Sequence, residues 1–473
     1  MSETGSYKSF SSNQLIDPNA NAGFFSSVFN LMNAILGAGI VSLPYAISNL
    51  GYVLFTVLLL LVAGVAIFSA ELLLQVSKTL KSTSYEIIAE KSCGFFGKFY
   101  TCLVIYLHTL FAICGFMFMV RYEMPPLIRG IFDIENSCDN ITDDEKVWYL
   151  RGEILVIIVL AAIVMPLSVL RNIDFLGYTS GFGMFCMLAF SGIIIAYKFI
   201  ITCPVREYVG AERFFSDYEK VLNTPNCSID SVFEYYATDF YEMSENQTCG
   251  GELIKWGSAS IYALPTMIFA FQCHASFLPI YAELKDGTAK SMMNVAYVAI
   301  GAVFSIYGIV SYFAYFTWYD LTMEEVLMMY TSLDPTDPMV IIARACILAC
   351  VILSAPLLHF PCRKAQVKLF WADDVEFSWF RHLGLMVFNL VLVYVLVIFI
   401  PNIQIVFAYA GAITATSLMV ILPSLFYFID GPGVEGDRYS FSATRTVKHW
   451  ICFCVVIIGV FLMVGNTILI ALE

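Results

Sequence analysis

Residues 30–46 read NLMNAILGAGIVSLPYA, and they lie inside a stretch, Pro18 to Ala70, that holds no charged residue. A stretch of that length suffices for two membrane crossings. Within it, the amide of Asn33 and the triplet Gly37-Ala38-Gly39 are costly, because glycine weakens a helix and a buried amide needs partners. Backbone in hydrocarbon must satisfy its own hydrogen bonds, so irregular backbone is tolerated only where it lines a cavity or meets a ligand. The triplet therefore marks a helix that breaks at membrane depth to make a site.

The rest of the chain fits a lipid bilayer. Its 473 residues are 59% hydrophobic and 13% charged, more apolar surface than a soluble domain could hide. The formal net charge of −13 argues against nucleic acid as a partner. The first 20 residues are polar, and the first apolar run is too long and lacks the basic flank of a cleavable signal peptide. Residues 1–23 are therefore expected as a disordered cytosolic tail ahead of a transmembrane domain over 24–473. At about 20 apolar residues per crossing, eleven spans are expected, near 24–49, 52–77, 99–125, 153–170, 175–200, 256–282, 291–318, 339–360, 380–400, 402–428 and 449–471.

Charge asymmetry sets the orientation. With the N-terminus inside, the inner loops collect Lys78, Lys81, Lys91, Lys98, Arg363, Lys364, Lys368 and Arg381, whereas the outer loop at 319–338 has acids and no lysine or arginine. The glycosylation sequons at Asn140, Asn226 and Asn246 all fall on the face that this rule places outside. Cys227 and Cys249 share the large outer loop, 203–255, in an oxidising compartment, which makes a disulfide between them plausible; Cys138 and Cys203 are rival partners. No CxxC pair, metal-ligand cluster or nucleophile–base pair is present, so an enzyme is not expected.

A second interruption lies in span six, at FAFQCHASFLPIY (Phe269–Tyr281), where Gln272, His274 and Ser276 break an apolar run and Pro279 removes a donor. Broken first and sixth helices, five spans apart, point to two inverted five-helix repeats with substrate between them. A half-helix starting after Gly39 offers free amides and a positive dipole end to a carboxylate, and Gly37, Ala38 and Gly39 let a ligand reach the backbone. A half-helix ending at Phe269, Ala270, Phe271 and Gln272 offers carbonyls to an ammonium. Opposed dipole ends suit a small zwitterion, an amino acid. Sodium also prefers neutral oxygens. Asn33 and the freed carbonyl of Leu36 in span one, with the Ser354 hydroxyl and the Ile352 carbonyl deprived of a donor by Pro356 in span eight, form the expected sodium ligands.

These stretches carry a family resemblance. FNLMNAILGAGIVSLPYA (Phe29–Ala46), FAFQCHASFLPIYAELKD with SMMNV (Phe269–Val295), MVRYEMPPLIRGIF (Met119–Phe132) and APLLHFPCRKA (Ala355–Ala365) resemble the sodium-coupled neutral amino acid transporters. Those are the system A and system N carriers, solute carrier family 38, of the amino acid/auxin permease group. The resemblance implies a leucine-transporter-type fold, all-α with eleven transmembrane helices in a 5+5 inverted repeat. It implies electrogenic or proton-exchanging sodium cotransport, with Asn33 as a sodium ligand and Ser354 at the position of a family threonine. It also implies a disulfide in the large outer loop, assigned on these grounds to Cys227 and Cys249. Ala275-Ser276 departs from the family, which places a proline after the histidine.

Plainer readings stand beside these. Gly37 and Gly39 fit a small-residue packing face, Asn33 a helix–helix hydrogen bond, and Ser354 a bond to its own helix backbone. His274 and His108 fit buried packing as well as a proton relay, and Arg344 is expected to pair with an acid. The expected function is sodium-coupled symport of a small neutral amino acid by alternating access, with no cofactor, at the plasma membrane. A proton-coupled carrier of the same fold and an amino acid sensor are the rivals.

Overall fold

The computed structural model describes residues 22–37, 39–132, 148–169, 176–204, 244, 247–285, 287–331, 336–371, 377–400, 403–434 and 446–472. Ala38, Cys138, Cys227 and the sequons at Asn140, Asn226 and Asn246 lie outside those residues. The regular secondary structure of the described residues is helical. In chain order the helices are α1 (Phe24–Ile35), α2 (Gly39–Leu50), α3 (Tyr52–Leu80), α4 (Tyr85–Phe132), α5 (Gly152–Val169) and α6 (Leu176–Tyr197). There follow α7 (Ser260–Ala270), α8 (His274–Glu283), α9 (Ala289–Trp318), the short α10 (Val326–Thr331), α11 (Pro338–Phe370), α12 (Trp379–Phe399), α13 (Ile403–Asp430) and α14 (Val447–Leu472).

Among the described residues nine helical spans, α7 with α8 counted as one, are long and apolar enough to cross a membrane, and the bent pair α1–α2 makes ten. The eleventh expected crossing, 175–200, corresponds to α6, whose fully described part, Gly181–Tyr197, is a shorter apolar helix. Burial sorts the spans into layers. The most apolar windows of α4 and α13 are 83% buried inside the protein, and that of α14 is 11% buried. Helices α4 and α13 thus form the centre, and α14 turns its apolar side chains outward, as a lipid-facing helix must.

Local chemistry explains several ends. Asp337 caps α11 by accepting from the Met339 N–H at 2.8 Å, with Pro338 at the first helical position. Thr288 caps α9 by accepting from Ser291 N–H at 3.2 Å. Gly94, at φ 64°, turns the chain within Tyr85–Phe132 and separates an inner segment from the long central helix. Pro356 and Pro361 sit inside an α11 that continues to Phe370, so the Ile352 carbonyl has no backbone donor four residues on.

One expectation is corrected here. Cys249 forms its disulfide with Cys203, across a Cα–Cα distance of 5.9 Å, and so is not paired with Cys227. Cys203 follows the end of α6 and Cys249 precedes the segment leading into α7, so the bond staples the two feet of the large loop where they leave the bundle. Four loop or edge cysteines left that choice open, because spacing does not fix connectivity.

Candidate functional site

Both predicted breaks are present. Helices α1 and α2 meet at 57°. The regular ladder of α1 stops with Leu36 N–H donating to Met32 O at 2.7 Å, and Leu36 itself turns extended, with ψ 105°. Helix α7 ends at Ala270, three non-helical residues follow, and α8 starts at His274, whose preceding Cys273 carbonyl accepts from Ser276 and Phe277 at 3.0 Å each.

The two breaks lie against each other. A Cβ built on Gly39 would sit 2.8 Å from the Ala270 Cβ, so the missing side chain lets the start of α2 touch the end of α7. The Tyr307 hydroxyl of α9 donates to Ile35 O at 2.8 Å and reaches Ala270 O at 3.3 Å. The Ala270 carbonyl, expected to be free for a substrate ammonium, therefore already has a donor. Gly37 points elsewhere: a Cβ there would lie 3.3 Å from the Phe116 ring of α4.

Aromatic rings close the site on the α13 side. Phe269 stacks on Phe407 with centroids 5.0 Å apart and planes at 23°, and it lies 5.3 Å from the His108 ring. Gly115 of α4 makes room for Phe407, since a Cβ there would come within 2.4 Å of the ring. His108 Nδ1 bonds the Thr414 hydroxyl at 3.1 Å, tying α4 to α13. Phe271 turns the other way and packs edge-on to Tyr307 at 5.5 Å.

Gln272 and His274 form a buried chain. Gln272 Oε1 meets His274 Nδ1 at 3.0 Å, and His274 Nε2 meets the Ser69 hydroxyl of α3 at 2.7 Å. A neutral imidazole, donating from Nδ1 and accepting at Nε2, satisfies both bonds. His274 thus anchors the break to α3, in line with its plainer reading. The Gln272 amide nitrogen is buried and has no partner among the described residues, a donor left over beside the break.

The expected sodium ligands gather less completely. A Cβ on Gly183 of α6 would lie 3.3 Å from Asn33 Oδ1 and 3.5 Å from Cys350 Sγ of α11. Cys350 and Ser354 stand one helical turn apart on α11. Asn33, α6 backbone and the Cys350–Ser354 turn thus share one neighbourhood between α1, α6 and α11, built of neutral oxygens and sulfur. Leu36 and Ile352 are buried nearby in sequence, at the ends of ladder interruptions. Gly183, Cys350, Tyr307, Phe116 and Phe407 were missed in the sequence. Only Tyr307 carried a signal there, a phenol amid apolar residues that needs a partner.

Backbone bonds pair the half-helices into arms. Ala22 N–H donates to Glu283 O at 3.1 Å and Lys285 N–H to Ala22 O at 3.0 Å, joining the start of α1 to the end of α8. On the opposite face Lys255 N–H donates to Leu50 O at 2.8 Å and the Ser260 hydroxyl to Asn49 O at 2.6 Å, joining the end of α2 to the start of α7. Beside that second arm, a small cleft is lined by Tyr45, Asn49, Tyr262, Thr266, Gln404 and Glu324, among others. Burial pushes the Glu324 carboxyl up to about 7. Next to it, Glu325 caps α10 by accepting from Leu327 and Met328 at 3.2 and 3.1 Å. Burial first, and the charge of Glu123 second, hold Glu325 well above the usual carboxylate range.

Comparison with known proteins agrees with this geometry. Residues 20–469 match the family described as "Transmembrane amino acid transporter protein". The chain is 33% identical over 476 residues to the human "Sodium-coupled neutral amino acid transporter 4", covering 95% of this chain and 84% of that protein. It is 35% identical over 407 residues to the Danio rerio "Sodium-coupled neutral amino acid symporter 2", covering 86% and 75%. Among solved structures, MhsT in complex with L-phenylalanine aligns with a TM-score of 0.55 at 13% identity, over 94% of this chain and 98% of that one. A nucleobase-cation-symport-1 family transporter, closed with bromovinylhydantoin bound, aligns at 0.51 and 11% identity, over 97% and 96%. The fold is thus the one these transporters share.

Proposed function

We propose, from the premise that this chain belongs to the transmembrane amino acid transporter family, that it is a sodium-coupled symporter of small neutral amino acids working by alternating access. The observation that carries the reading is the convergence of two broken helices at one place, with Gly39 against Ala270 and a spare buried amide on Gln272 beside them. The α2 N-terminus and the Gln272 NH₂ favour a carboxylate, and the α7 C-terminal end favours an ammonium. The ring pair Phe269–Phe407 bounds the room for a side chain and so favours small residues.

Sodium in this reading sits between Asn33, the Leu36 and Ile352 carbonyls and Ser354. Binding there fixes α1 against α11 and orders the break that the substrate shares, which couples the two ligands. The joined arms α1–α8 and α2–α7 then pivot about their breaks, exposing the site to one face at a time. The N-terminus faces the cytosol, the 203–255 loop with its sequons faces outside, and the plasma membrane is the place of action.

The test is uptake into proteoliposomes across a panel of radiolabelled neutral amino acids, with sodium replaced by choline at fixed pH. Accumulation that needs sodium is expected. Asn33→Ala and Ser354→Ala should each raise the sodium concentration for half-maximal uptake about tenfold, the worth of one ion ligand of ~1.4 kcal/mol. Accumulation that follows the proton gradient and ignores sodium favours a proton-coupled carrier, and binding without accumulation favours a sensor.

A further inference from the structure

Two carbonyls lose their helical donors at the breaks, and they do so symmetrically. Ile35 is the last residue of α1, and the residue four positions on, Gly39, already begins α2. Ala270 is the last residue of α7, and the residue four positions on, His274, already begins α8. Each carbonyl is the negative end of a half-helix, so two like dipole ends face one another where hydrocarbon offers no water. A single hydroxyl lies between them: Tyr307 Oη, 2.8 Å from Ile35 O and 3.3 Å from Ala270 O. Its ring is fully buried, held edge-on by Phe271, and its oxygen lies 3.7 Å from where a Gly39 Cβ would be.

We propose that Tyr307 is a positioning residue for transport, a clasp whose one proton is shared between the two half-helix ends and sets the spacing of the substrate site. It acts through Ile35 and Ala270 and not by touching the amino acid. The shorter bond makes Ile35 O the principal acceptor, and rotation of the hydroxyl lets the same proton pass to Ala270 O when the α1 arm swings away. The inference rests on the transport reading above and deepens it.

The experiment compares wild type, Tyr307→Phe and Tyr312→Phe in proteoliposomes, with the amino acid that wild type accumulates fastest. Tyr312 is the control because its hydroxyl donates to another backbone carbonyl, Tyr52 O, at 2.9 Å on the same helix but away from the breaks. Y307F should raise KM about tenfold or more while changing kcat about threefold or less, since the carbonyls lose their donor and the site loosens. Y312F should leave KM within about twofold of wild type. A wild-type KM in Y307F, or equal shifts in both variants, overturns the proposal. Should Y307F not elute as a single peak on size exclusion, Tyr307→Gln, which keeps a donor, must restore both protein and uptake; failure of Y307Q also overturns it. Absence of uptake by wild type would instead count against the transport reading.

Discussion

A guanidinium enclosed by protein has no water to hydrate it, and Arg344 meets that cost through Glu123, 2.9 Å away, with both side chains fully buried. Its second amine reaches Leu327 O at 3.4 Å, which brings the base of α10 into the same contact. The expectation that Arg344 pairs with an acid holds, and the acid comes from α4, 221 residues earlier in the chain. Removing one partner strands the other's charge. Arg344→Met alone should destabilise the protein by about 3–5 kcal/mol, whereas Arg344→Met with Glu123→Leu should recover most of that loss. Thermal unfolding of the detergent-purified variants, read as a double-mutant cycle, measures both. Equal melting temperatures for single and double variants would mean that the pair carries no coupling.

Helices in this protein are held at their crossings by small residues placed where backbone meets backbone. The clearest case is the π-helical stretch Ala410–Ala415 of α13. A Cβ on Gly411 would lie 1.9 Å from Pro265 O of α7, a contact with backbone that no side-chain rotation relieves. Gly411→Ala is therefore expected to push α13 off α7 and abolish recovery of folded, transporting protein. Gly301→Ala on α9, where nothing lies within 4 Å of the built Cβ, should instead be neutral or slightly stabilising. Size-exclusion yield and uptake for the two variants test the contrast. Normal yield and transport in G411A would show that α13 does not need this close approach.

For the whole molecule, the segment between α9 and α10 joins the outer cleft to the central ion pair. Glu324 lines the cleft made by α2, α7 and α13, while neighbouring Glu325 caps α10, whose Leu327 carbonyl accepts from Arg344. A carboxyl held near 7 by burial binds a proton that the opened or unfolded chain has lost, between the ordinary carboxylate range and 7. The sign follows. Below that range both states are protonated and nothing is lost; between it and 7 only the folded state keeps the proton, so stability falls as pH rises and levels off above 7, where both states are ionised. The melting temperature should therefore drop as pH goes from about 5 to about 8, and Glu324→Gln should flatten that slope. An unchanged slope in E324Q would assign the dependence elsewhere.

The sequence by itself determined where the backbone would fail and in what solvent. The apolar runs dictated membrane helices, and the Gly37-Ala38-Gly39 triplet and the Gln272–His274 interruption dictated two breaks, because helix cost and hydropathy are local properties written in consecutive residues. It also fixed the isolated Ile352 carbonyl, since a proline withholds its donor wherever it stands. Only the tertiary structure decided which groups answer those breaks. The Tyr307 hydroxyl serves a carbonyl 272 residues away, Phe407 stacks on Phe269, Gly183 of α6 meets Asn33 of α1, and Cys203 takes Cys249 from Cys227. Each of those depends on how helices far apart in the chain pack side by side. That geometry is a sum over many weak contacts, and no short stretch of sequence records it.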